Sequence, residues 1–128
     1  MNDLMKSIER AALTPIVVGE DHSAERKFSF GEEFIGFSGH FPGFPIVPAI
    51  VQILIAQSLI EGCVGAPLKL QVVERAKFLL PLGPDQEIDV NICPCAGIDG
   101  HSYRVKLMLQ EKVAASFTLR LQRQEGAK

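Results

Sequence analysis

Between positions 88 and 121 hydrophobic and polar residues alternate with few interruptions, and this two-residue period is the strongest structural signal in the chain. Ile88, Val90 and Ile92 alternate with Glu87, Asp89 and Asn91; Tyr103, Val105, Leu107 and Leu109 alternate with Arg104, Lys106 and Met108. Val113, Ala115, Phe117, Leu119 and Leu121 alternate with Lys112, Ser116, Thr118 and Arg120. Successive side chains of a strand point to opposite faces, so each run predicts a strand with one face on a core and one in water. Asp99-Gly100 and the short Gln110–Lys112 segment are turn signals, which makes the neighbouring strands antiparallel hairpins. A further strand is expected over about 68–79, stopped by Pro81 and the Leu82–Asp85 turn, and Ala24, Arg26, Phe28 and Phe30 predict another against Glu25, Lys27 and Ser29.

Two segments carry a helical period. Leu4, Met5, Ile8, Ala11 and Ala12 recur at helical spacing behind the capping residues Asn2 and Asp3, predicting a short helix over about 3–14 that ends near Pro15. From Ile46 to Ile60 the chain is apolar almost all round, which predicts a central helix over about 47–62, closed by Gly62 and buried on most sides. One such helix followed by amphipathic antiparallel strands implies an α+β fold, a curved sheet wrapped around the helix.

Composition narrows the function classes. The length, 128 residues, suits one domain over 1–128 with a frayed tail at 123–128. Net charge of −2 supports no nucleic-acid footprint. Gln52 and Gln57 interrupt the longest apolar run before the roughly 18 residues a membrane span requires, and the charged N-terminus does not read as a signal peptide. Cys63, Cys93 and Cys95 read as free thiols of a reducing, cytoplasmic compartment, and no metal-ligand spacing occurs. His22 and His101 sit beside turns and read as solvated. Lys69, Arg75, Lys77, Arg104 and Lys106 lie on polar strand faces and read as solvated.

The candidate chemistry gathers in "SGHFPGFPIVPAIVQILIAQ", residues 38–57. Pro42, Pro45 and Pro48 fix φ near −65° and restrict the residue before each, so His40 stands on a stiff extended loop. Pro48 falls at the start of the central helix, where the amides of Ala49 and Ile50 are left open at the positive end of the helix dipole. A histidine near such amides can abstract a proton beside a carbonyl while the enolate oxygen is stabilised, although an isolated histidine before a proline loop is more often structural.

This stretch resembles the signature of the 3-hydroxyacyl-[acyl carrier protein] dehydratases, in which a Gly-His-Phe-Pro-Gly run enters the central helix of a hotdog fold. "RAKFLLPLGPDQEIDVNI" is similar to that family's stretch after the helix, so the likeness runs from about Ile16 to Leu121. It implies dehydration of a 3-hydroxyacyl thioester to the trans-2-enoyl thioester in fatty-acid or related lipid synthesis. His40 would be the base, Ala49 the amide donor to the thioester oxygen where the family has glycine, and Gly43 part of the substrate loop. It also implies a substrate carried by acyl carrier protein or coenzyme A, no cofactor of the enzyme's own, and at least a homodimer. The family's acidic residue falls fourteen positions after the histidine, at Leu54, which can give no proton. Ser58 and Glu61 on the same helix are substitute polar groups, His40 acting alone is another solution, and a catalytically impaired acyl-thioester binding or partner subunit is a third. A hotdog thioesterase is the remaining alternative.

Overall fold

Pro48, with φ −63° and ψ 156°, turns an extended chain into the central helix, and Gly65, at φ 80°, turns it out again. In the computed structural model, which describes residues 3–37, 45–95 and 101–124, this helix is α2 (Ala49–Val64). It starts and ends two residues later than the pattern predicts. Proline tolerates the N-cap because it has no amide to satisfy there, and Gly65 accepts the left-handed geometry without a Cβ penalty, its N–H donating to the Glu61 carbonyl at 2.8 Å.

The shorter α1 (Asp3–Arg10) ends earlier than predicted. Ala12 forms an antiparallel bridge to Phe28, and Ser29 donates to the Ala11 carbonyl at 3.0 Å, so sheet pairing takes the residues that helical spacing would have continued. The predicted cap Asn2, the Asp99-Gly100 turn and residues 125–128 of the predicted tail lie outside the described residues, while Arg123, at the start of that tail, pairs with Leu68 in the sheet.

Among the described residues, six strands form one antiparallel sheet: β1 (Val17–Val18), β2 (Ala24–Phe28), β3 (Leu68–Phe78), β4 (Ile88–Pro94), β5 (His101–Leu109) and β6 (Lys112–Arg123). Their spatial order is β1-β2-β4-β5-β6-β3. A 3-10 turn at Ile35–Phe37 precedes the helix. The inward rows of β2, β4, β5 and β6, including Phe28, Ile88, Val90, Leu107 and Leu119, close over Ile55, Ala56, Leu59 and Ile60 of α2, all fully buried. The α+β sheet-around-helix architecture expected from the pattern is therefore present.

The alternation fails at one place, and the failure is structural. Leu107 pairs with Ala115 but Met108 with Val113, leaving Ala114 as the extra residue of a β-bulge. Ala114 is buried and Val113 only half-buried, a correction to the inward assignment of Val113. The bulge leaves the Ala114 carbonyl to receive two amides from the end of β3, Leu79 at 2.7 Å and Leu80 at 3.1 Å. A few residues on, the Leu82 carbonyl accepts from Val47 N–H at 2.8 Å, which fixes the approach to α2.

Candidate active site

The start of α2 is the best-defined part of the site. The first intrahelical bond runs from Gln52 N–H to the Pro48 carbonyl at 3.0 Å, so the amides of Ala49, Ile50 and Val51 have no acceptor within the helix. Pro48 offers no side-chain cap, and Ala49 is exposed. Gln52, itself buried, donates through Nε2 to the Val47 carbonyl at 3.0 Å, so Val47 is held at both its amide and its carbonyl. The Oε1 of Gln52 is buried and has no partner among the described residues. His40 and Gly43 lie outside the described residues.

Leu54 is half-buried and borders a cavity of about 670 Å³ with Met5, Gln57, Glu61, Leu68 and Gln124. Ile50, one turn earlier, is 60% exposed. Ile50, Leu54, Gln57 and Glu61 form a stripe at helical spacing that the chain's own sheet leaves at least partly open.

The two substitute polar groups are occupied elsewhere. Ser58, one turn after Leu54, is buried and donates to Glu9 Oε2 of α1 at 2.7 Å, so its hydroxyl is engaged with α1. Glu9 in turn meets Arg26 Nη1 at 3.4 Å, and Arg26 Nε donates to the Thr14 carbonyl at 2.8 Å. Glu61 does lie on the stripe, but its Oε2 accepts from Leu68 N–H at 2.9 Å and from Gln57 Nε2 at 3.4 Å. Gln57 also donates to the Leu68 carbonyl at 2.9 Å. Gln57 and Glu61 thus clasp the backbone of Leu68 from both sides and tie the end of α2 to β3.

The remaining reactive groups stand apart. All three cysteines are free, and desolvation pushes the Cys63 thiol up, away from the thiolate a nucleophile needs. His22 is exposed; His101 is half-buried and stacks on Tyr103 with ring centroids 6.5 Å apart. Among the described residues no group of three or more histidines, cysteines and carboxylates could hold a metal ion. No helix of the described residues is long and apolar enough to cross a membrane.

A sheet in this order around an apolar helix, entered by a proline-capped helix start, defines a hotdog-fold protein. The family described as ApeI-like, ApeI dehydratase, matches residues 17–118, and the chain belongs to this dehydratase family. The 3-hydroxyacyl-[acyl-carrier-protein] dehydratase FabZ of a Wolbachia from Drosophila simulans is 32% identical over 114 residues, which is 79% of this chain and 75% of that protein. The FabZ of Novosphingobium aromaticivorans is 31% identical over 86 residues, 60% of this chain and 53% of that one. In fold, the chain resembles the dehydratase heterocomplex ApeI:P from Xenorhabdus doucetiae with a TM-score of 0.72 at 20% identity, covering 88% of this chain and 96% of that one.

Sequence reasoning missed the Glu9–Ser58 pair and the orphaned Gln52 oxygen. A polar residue inside an otherwise apolar helix was the available signal for both, but a single helix wheel does not say which neighbour each one meets.

Proposed function

We propose that the chain eliminates water from a 3-hydroxyacyl thioester to give the trans-2-enoyl thioester, and hydrates the enoyl thioester in reverse. The observation that carries this reading is the start of α2, where Ala49 and Ile50 are exposed residues whose amides have no acceptor within the helix behind a proline cap. In this mechanism the thioester oxygen lies against the Ala49 N–H, where the dipole of a 16-residue helix favours the negative charge of the enolate. His40 removes the α-proton, and its imidazolium then returns that proton to the departing hydroxyl, because Leu54 has none to give. No cofactor enters the scheme; the acyl group arrives on the phosphopantetheine of a carrier protein or of coenzyme A, in the cytoplasm. Gly43 belongs to the substrate loop.

The open Ile50–Leu54 stripe supports a second hotdog subunit as the cover of this helix face. A homodimer would put a leucine at both acid positions. Leu54, together with the relative's being a heterocomplex, favours a second reading in which the covering subunit is a different hotdog chain whose carboxylate completes the site. The test is hydration of a short trans-2-enoyl thioester, followed by loss of enoyl absorbance, first with the purified chain alone. Turnover is expected; no turnover on any enoyl thioester would reject the first reading, and recovery only with an added hotdog subunit would establish the second.

The methyl of Ala49 sets a further expectation. Ala49→Gly removes atoms beside the amide and should raise kcat, against a helix-propensity loss of up to about 1 kcal/mol at this terminal position. A folded variant with unaltered kcat would show that no thioester oxygen approaches there.

A further inference from the structure

On the outer face of the sheet, away from the α2 core, Arg75, Lys77, Arg104 and Lys106 border a concavity of about 480 Å³ that also includes Ser116 and Thr118. All four cations are exposed, and none makes a salt bridge among the described residues. The nearest carboxylate by register, Glu74 opposite Thr118, is taken by Arg120 at 3.4 Å. Glu25 lies two strands away from Lys106, across Asn91. The cross-strand register explains the cluster: Lys106 pairs with Ser116 and Ser116 with Lys77, while Arg104 pairs with Thr118.

The edge strand is shaped to add to it. A register shift between Glu74 and Lys77 puts Arg75 at φ 54°, a left-handed conformation that a non-glycine residue adopts at a cost. Arg75, Ala76 and Lys77 consequently all border the concavity, whereas a regular strand would send alternate residues to opposite faces. Like charges held together without counter-ions oppose folding, and an anion placed among them relieves that repulsion.

We infer that this concavity binds a phosphate group, specifically the phosphate of the pantetheine arm that carries the acyl chain. Guanidinium forks and lysine ammonium groups match phosphate oxygens, and Ser116 and Thr118 offer hydroxyl donors between them. The assignment to a pantetheine arm rests on the thioester reading above; the anion site itself does not. Beyond Lys77 the chain runs through Phe78 and Leu79, apolar and exposed by 42% and 58%, to Leu82, which holds Val47 at the entrance of α2. Five residues span at most about 18 Å, within the reach of an extended pantetheine chain laid over those two side chains.

The experiment compares one enoyl group on three carriers: coenzyme A, a holo acyl carrier protein, and N-acetylcysteamine, which has no phosphate. In Arg104→Glu/Lys106→Glu, KM should rise about tenfold or more for the coenzyme A thioester, the carrier-protein thioester, or both, with N-acetylcysteamine turnover unchanged. Whichever substrate is affected identifies the source of the phosphate. Unchanged KM for both phosphate-bearing substrates overturns the inference, as does an equal loss on all three. Calorimetric titration with free coenzyme A and with pantetheine 4′-phosphate reads the site without turnover, so an inactive chain leaves it testable. Binding by the wild type that the double variant loses supports the site, and absence of binding of both probes to the wild type rejects it.

Discussion

Leu54→Glu is expected to raise dehydratase turnover about tenfold or more, in a protein that still folds. Position 54 is half-buried on the open stripe of α2 and borders a cavity, so the introduced carboxyl has room and some solvent, and the full penalty of an enclosed charge does not apply. Covering this face with a second subunit would desolvate it, raise its pKa and favour the protonated form that a general acid needs. Glu61 does not fill this role in the native chain, since it is committed to Leu68 and stands seven residues on, about 10 Å along the helix axis. The measurement is kcat on a 3-hydroxyacyl thioester beside the thermal midpoint. A folded variant with unchanged or lower kcat would mean that position 54 does not face the reacting atoms.

The converse substitution is expected to abolish activity. His40→Ala should lower kcat/KM by about 10²–10⁴-fold, the usual contribution of a positioned acid–base group, with a thermal midpoint close to that of the parent. A pH profile separates catalysis from structure. A general base must be neutral, so wild-type kcat/KM should fall as pH drops through the histidine pKa, ordinarily near 6.5, and residual activity in the variant should lack that limb. Retained turnover would make His40 structural and remove the proposed mechanism.

These two positions differ in how far the sequence exposes them. The proline spacing around His40 and the apolar run behind it are local signals, and α2 follows them to within two residues because Pro48 restricts the chain at one end and Gly65 admits the left-handed exit at the other. The strands were legible where one face is buried, since Ile88, Val90 and Ile92 must alternate with polar neighbours to face a core. Edge strand β3 was legible in extent but not in shape, because its bulges answer to pairing with β6 and leave little trace in hydrophobicity. Ala114 was missed for a similar reason: alanine is small enough to sit on either face, so its neighbours' pattern does not reveal the slip. The orientation of Ser58 was also out of reach, since it depends on Glu9, far away in the chain.

The bulge at Ala114 has a consequence for how this protein can be altered. Its carbonyl holds Leu79 and Leu80, the segment after them carries the Leu82 carbonyl that receives Val47, and Val47 is clasped by Gln52 at the mouth of α2. Four hydrogen bonds thus make a β6 backbone atom the datum from which the helix entrance is measured. Adding or removing one residue between the Gln110–Lys112 turn and Ala114 would shift that datum while leaving every side chain of the entrance in place. The length of a remote hairpin is therefore under the same constraint as the residues of the site, and loop grafting or hairpin trimming at this end of the sheet has to preserve the count.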